Sequence, residues 1–144
     1  MSGSDPEALR RRNGETMVEL LRRLGSQDFR GACELLTEDV VCDWPYPPMA
    51  DGPSELRGRE TMEAFFSGGM SSFDPYRYEI TRVFELVDPD RIIAEYHSNS
   101  RFKPSGAPYR NDYLGIFEFQ NGLVCYWREY INPVAVSDVL ATAK

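Results

Sequence analysis

Glu129 stands between Trp127 and Ile131 in the run Trp127-Arg128-Glu129-Tyr130-Ile131-Asn132, whose alternating character predicts a strand. If Trp127, Glu129 and Ile131 share the inward face, a carboxylate sits among large apolar side chains. That placement is costly unless the group is hydrogen-bonded or neutral. Burial disfavours the anion and raises the pKa, which suits a general acid or base near neutral pH. The competing interpretation is that Tyr113 or a backbone group satisfies Glu129 and the residue only fixes strand register. Asp43, ahead of Trp44 and Pro45, is a second acidic candidate, either a complementary base or a polar strand end. Tyr96, Ser98, Asn111 and Tyr113 are placed to orient a ligand by hydrogen bonds, with Trp127 stacking on it. The same aromatic stripe equally suits a core.

The elements that must position these residues fall in one chain of 144 residues, a length that suits a single domain with one core. A net charge of -7 argues against nucleic acid, because phosphate binding needs a basic surface. Three widely spaced cysteines without a CxxC pair argue against a disulfide framework or a zinc site and fit a reducing cytosol. The beginning of the sequence lacks the apolar stretch of a signal peptide, and no segment approaches the ~18 apolar residues of a membrane span. The expectation is a soluble cytoplasmic protein without metal or cofactor.

Ser4-Asp5-Pro6-Glu7 signals a helix start, with Ser4 as the cap, and Leu9, Met17, Leu20, Leu21 and Leu24 continue at helical spacing to Gly25. A shorter helix follows from about Asp28, then a short strand Val40 to Trp44. A third helix from about Arg57 carries Met62, Phe65 and Phe66 inward and is expected to stop at Gly68-Gly69. From Tyr76 the period changes to two. Strands are expected at Tyr76–Val87, Arg91–Phe102, Tyr109–Gln120 and Leu123–Asn132, the last pair joined at Asn121-Gly122. Three helices covering one face of a twisted four-stranded meander make an α+β plan with a concave interior where a small molecule would bind.

Alternation sorts the strand faces. Ile92, Ala94, Tyr96, Ser98, Ser100 and Phe102 face in, so His97, the only histidine, faces out. Tyr109, Asn111, Tyr113, Gly115, Phe117 and Phe119 face in as well. In the last strand the inward set is Leu123, Cys125, Trp127, Glu129 and Ile131. A three-residue loop with Gly122 left-handed would reconcile the two faces, pairing Phe119 with Leu123 and Tyr113 with Glu129. Tyr96, Tyr113 and Glu129 would then form one row across three strands.

The segments LLTEDVVCDWPYPP, LRGRETMEAFF and YLGIFEFQNGLVCYWREYINP resemble the SnoaL-like branch of the nuclear-transport-factor-2-like superfamily, from about Ala8 to Pro133. That resemblance implies the cone-shaped, cystatin-like α+β fold, and relatives with isomerase, cyclase and epoxide-hydrolase chemistry. In limonene-epoxide hydrolases the Asp-Arg-Asp set ends in WRDY. Here that segment is Trp127-Arg128-Glu129-Tyr130, while Tyr96 and Ser98 replace the arginine and the first aspartate. Ketosteroid isomerases place their base at or beside Asp43, but Leu20 falls where their helix-borne tyrosine stands. The phenazine-biosynthesis A/B proteins resemble the chain more closely, through the TED segment and the Arg-Glu-aromatic-x-Asn run. Their acid/base glutamate falls on Glu129, and its histidine partner near Phe65 or Phe66.

Two readings follow. One is a cofactor-independent acid–base enzyme of isomerase, cyclase or dehydratase type, acting on an apolar carbonyl-bearing or aromatic metabolite. The other is a non-catalytic ligand-binding or interaction module of the same fold. The outer sheet face mixes Ile93, Leu114, Ile116, Tyr126, Arg128 and Tyr130, a composition that predicts a homodimer.

Overall fold

The computed structural model describes residues 5–143. Helix α1 (Pro6–Gly25) starts as expected, with Pro6 in its first turn and the Asp5 side chain accepting from the Glu7 amide at 3.1 Å. Asp5 therefore holds the cap position; Ser4 lies outside the described residues. Met17, Leu20, Leu21 and Leu24 form its buried stripe. Helix α2 (Phe29–Cys33) is a single short turn capped by Asp28. Strand β1 (Leu36–Asp43) begins four residues earlier than expected, and β2 (Glu55–Arg57) is a three-residue strand.

Helix α3 (Arg59–Met70) runs through Gly68-Gly69 instead of stopping there. Its last turn is secured from outside: Met70 is buried, and the Gln27 amide donates to the Met70 and Phe73 carbonyls at 3.0 and 2.6 Å. Tertiary packing here overrides the weak helix preference of glycine. Strands β3 (Phe73–Glu85), β4 (Arg91–Phe102), β5 (Ala107–Gln120) and β6 (Leu123–Ile131) form the meander, followed by helix α4 (Pro133–Ala141). The sheet has six strands in the order β2-β1-β6-β5-β4-β3. The expected antiparallel meander is thus extended at one edge. There β1 lies parallel to β6, and β2 antiparallel to β1.

The β5–β6 hairpin departs from expectation in a way that bears on the site. Asn121 and Gly122 both take positive φ, 52° and 82°, making a two-residue loop that pairs Gln120 with Leu123. The extra residue lies one step further on. Phe119 pairs with Val124 but Glu118 with Tyr126, so Cys125 bulges out of the ladder. Val124 is consequently the buried residue near the turn, and Leu123 and Cys125 are not part of the inward set. Past the bulge the phase is restored, and Trp127 and Glu129 face inward as the alternation required. Glu129 pairs with Gly115 rather than Tyr113, whose partner is Ile131. The row of three becomes a diagonal.

The core between helices and sheet is strongly aromatic. Phe117 stacks on Trp127 with centroids 5.1 Å apart, and Tyr96 stacks on Tyr113 at the same separation. Such offset pairs add to the burial of apolar area and hold their rings in one orientation.

Candidate active site

Glu129 is half-buried, and both its carboxylate oxygens are engaged. The Tyr96 hydroxyl donates to Oε2 at 2.5 Å, and the Trp44 indole N–H donates to Oε1 at 3.2 Å. Burial raises its pKa from the ordinary value to about 7, against the opposing pull of the Tyr96 and Trp44 hydrogen bonds. An acid so placed exchanges its proton near neutrality.

The Tyr96 hydroxyl reaches Glu129 because Gly115 lies between them. A Cβ at Gly115 would stand 2.9 Å from the Tyr96 hydroxyl oxygen and 2.7 Å from a Phe117 ring carbon. A missing side chain at the centre of a strand here makes room for a ring from its neighbour. Burial pushes the Tyr96 phenol well above its ordinary pKa, and the nearby Glu129 charge pushes it further. Tyr96 is therefore a hydrogen-bond donor rather than a base.

The remaining expected ligand contacts divide. Ser98 and Tyr113 are buried, sharing a 2.7 Å hydrogen bond, and the Tyr113 hydroxyl is 3.1 Å from that of Tyr76. They form a second polar chain beside Glu129, and the stacked rings of Tyr96 and Tyr113 connect the two. Asn111 has spent its amide. It donates to Tyr109 Oη and the Asn132 carbonyl and accepts from the Asp112 and Asn132 amides. With two donors and two lone pairs used, Asn111 anchors the end of β6 and the start of α4. Asn132 caps that helix through a 3.0 Å bond from the Val134 amide. Trp127 is a buried wall of the site, held between Phe117 and Phe66.

Asp43 is not brought together with Glu129. It ends β1 on the opposite sheet face, where Arg128 grips it through Nε at 2.9 Å and Nη2 at 3.1 Å and the Tyr126 hydroxyl donates to both oxygens. Burial alone would raise its pKa, but these hydrogen bonds and the Arg128 charge outweigh that and hold it below the usual value. Asp43→Asn is expected to cost about 1 kcal/mol of stability. It should leave the Glu129 titration unchanged, because Asp43 lies behind its own counter-ion. Urea denaturation and carboxyl carbon NMR shifts of Glu129 against pH measure the two effects.

The neighbour of Asp43 holds the place expected of Asp43 itself. Trp44 is a site residue that residue type does not mark, although Val40, Cys42 and Trp44 make an apolar alternating set with a clear inward phase. Phe65 packs on Trp44 at 5.1 Å and Phe66 on Trp127 at 6.1 Å, so α3 closes the site with rings. His97 faces out, 3.8 Å from Glu79. A groove of about 890 Å³ runs between α1 and β3, lined in part by Val18, Leu21, Tyr76, Tyr78 and Ile80. Glu129 does not line it, but the Tyr78 ring at its floor touches those of Tyr96 and Tyr113. Among the described residues no group of three His, Cys, Asp or Glu could hold a metal ion, and no helix is long and apolar enough to cross a membrane.

Comparison with known proteins agrees with this fold. The family model described as a SnoaL-like domain matches residues 15–127. An uncharacterised PhzA/B-like protein of Pseudomonas aeruginosa is 31% identical over 137 residues, covering 90% of this chain and 94% of its own. The crystal structure of the phenazine biosynthesis-related protein PhzB2, also from Pseudomonas aeruginosa, is 25% identical with a TM-score of 0.78, the match covering 95% of this chain and 90% of that one. A Mycobacterium tuberculosis protein solved in complex with estradiol-17beta-hemisuccinate is 22% identical with a TM-score of 0.72, covering 84% of this chain and 94% of the other. The superposition on the last of these speaks to fold alone.

Proposed function

The chain belongs to the SnoaL-like family, and on that premise we propose that it is a cofactor-independent acid–base enzyme of isomerase, cyclase or dehydratase type. Its substrate is a small, mostly apolar carbonyl-bearing or aromatic metabolite, and Glu129 is the group that moves the proton. The observation that carries this reading is a carboxyl group with a pKa near 7, fixed by two neutral donors on the inner face of the sheet. Geometry and protonation state then meet the requirement for proton transfer at neutral pH. An acid held only to fix register would need no such tuning. The steroid ester bound by the Mycobacterium tuberculosis relative supports an apolar, ring-bearing ligand class. Screening ketone-bearing compounds for carbon–proton exchange, with Glu129→Gln as the control, tests the assignment.

A non-catalytic ligand-binding module is the second reading. Aromatic rings of α3 stand against both site tryptophans, and among the described residues the side chains that hydrogen-bond Glu129 are Tyr96 and Trp44, both donors. Ligand binding without any Glu129-dependent exchange would favour it.

We propose further that the protein is a cytoplasmic homodimer joined through its outer sheet face. Ile93, Leu114 and Ile116 are partly exposed at the centre of that face, beside Tyr126, Arg128 and Tyr130, and an apolar sheet surface of this kind is expected to be covered by a second copy. Ile116→Arg is expected to convert the dimer to monomer at micromolar concentration in analytical ultracentrifugation, with the far-UV circular dichroism retained. A wild-type chain that sediments as monomer contradicts the arrangement.

A further inference from the structure

The groove between α1 and β3 holds about 890 Å³, within the roughly 300–1,000 Å³ of small-molecule sites. Val18, which is 50% exposed, Leu21 and Ile80 give it an apolar lining beside the Tyr76 and Tyr78 rings. The charges along its rim, Arg22 and Arg77 against Asp74 and Glu79, balance, so it favours a neutral occupant. Tyr78 is half-buried. On one side it meets the groove; on the other it meets the rings of Tyr76, Tyr96 and Tyr113, with centroids 5.2, 5.9 and 5.8 Å away. One ring therefore separates the groove from Tyr96, whose hydroxyl bonds Glu129. The strand that carries this ring is the least tied in the sheet. β3 is an edge strand paired to β4 alone, and its register slips just past Tyr78, where Ile80 pairs with Tyr96 but Arg82 with Glu95. Thr81 is the extra residue of that bulge. A strand paired on one side and interrupted by a bulge has fewer ladder bonds to disturb when a side chain moves.

We propose that the α1–β3 groove binds a neutral, fused-ring aromatic molecule, and that Tyr78 is the specificity-determining residue through which that molecule reaches Tyr96 and Glu129. This rests on the reading of Glu129 as the acid–base group and adds to it a ligand class and a route. One ring of the ligand takes the place of the Tyr78 ring against Tyr96 and Tyr113, and the tyrosine turns out into the groove, where its hydroxyl meets water. The ring contacts that Tyr78 gives up are made again by the ligand, so a flat aromatic ring meets a lower cost than a branched or aliphatic group. The rest of the molecule lies along Val18, Leu21 and Ile80, which is why a fused ring system suits the groove better than a single ring.

The probe is 2-acetonaphthone, which is neutral and has two fused rings; acetone is the control without rings. In carbon–proton NMR of the full chain, the Val18 and Ile80 methyl signals and the Tyr96 ring signals are expected to move together and saturably with 2-acetonaphthone, and not with acetone. Val18→Arg, at a half-exposed helix position, crowds the groove and should weaken the probe about tenfold with the far-UV circular dichroism retained. Tyr78→Ala leaves the place of the ring vacant and should strengthen it about tenfold. Should the Ala variant not fold, the Tyr96 signals of the wild type and the Val18→Arg affinity carry the test. Unmoved methyl or Tyr96 signals, or an affinity indifferent to Val18→Arg, overturns the inference. So does a folded Tyr78→Ala chain that binds no more tightly than the wild type. Groove signals that move with protein concentration alone would mean that a second copy fills the groove, and that too overturns it. Glu129-dependent exchange in a chain whose groove signals never move sinks the groove and leaves the acid–base reading standing. Binding that follows both variants without any exchange does the reverse.

Discussion

Replacing Glu129 with Gln is expected to lower carbon–proton exchange in ketone probes by about 10²–10⁴-fold, the range that a positioned acid or base contributes. The substitution keeps volume and leaves one acceptor oxygen. Trp44 can only donate, so that oxygen must remain with its indole; the amide nitrogen then faces Tyr96 and donates to the hydroxyl, which reverses that bond. The pocket stays filled and bonded, and the loss measures the proton-transfer group alone. In the wild type, the base form of Glu129 accumulates as pH rises through about 7, so kcat/KM should climb across neutrality and level off above it. Asp43 cannot produce that inflection, because Arg128 and Tyr126 hold its carboxyl below the usual range. His97 lies on the outer face beside Glu79, so His97→Gln should leave the profile unchanged. Deuterium exchange into the ketone, followed by proton NMR across the pH range, makes the measurement. An undiminished rate in Glu129→Gln would remove Glu129 from the mechanism.

Much of this site was legible in residue order because strand alternation is a strict period of two. The inward placement of Trp127, Glu129, Tyr96 and Tyr113 follows from it directly. The register did not follow, since a bulge is a count of one residue and Cys125 carries no mark that distinguishes it from a paired position. Two readings compensated for each other. A three-residue turn and a two-residue turn with a bulge at Cys125 both put Glu129 inward, yet only the second sets it opposite Gly115 and leaves the gap that Tyr96 fills. Asp43 departs from expectation for a different reason. It carries the conspicuous chemistry of β1, yet parity on that strand turns Asp43 outward and Trp44 inward. Asn111 shows what no local pattern contains. Its inward placement was correct, but two of its four hydrogen bonds reach Asn132 at the start of α4, and only the assembled fold shows the amide to be consumed.

The same carboxyl makes stability depend on pH in an unusual direction. An ordinary paired carboxylate has its folded pKa depressed and loses stability as pH falls. Glu129 is raised from 4.5 to about 7, so the folded state holds its proton more tightly than the unfolded chain does. Its contribution is therefore fully present below pH 4.5 and is lost as pH rises through about 7. A shift of this size corresponds to about 3 kcal/mol, using roughly 1.4 kcal/mol per pKa unit. Urea denaturation at intervals between pH 5 and pH 8.5 should show the wild type losing most of that amount relative to Glu129→Gln, which has no proton to release. Comparing the two chains cancels the carboxylates with depressed pKa values, such as Asp43 in its Arg128 clamp, which act at lower pH and in the opposite sense. A saturating ligand that draws Glu129 into its ionised form would flatten the wild-type curve, because the cost of the buried charge is then met by the bound molecule. Parallel curves for wild type and Gln variant would mean that Glu129 titrates like an exposed acid, and the electrostatic basis for its role in catalysis would be gone.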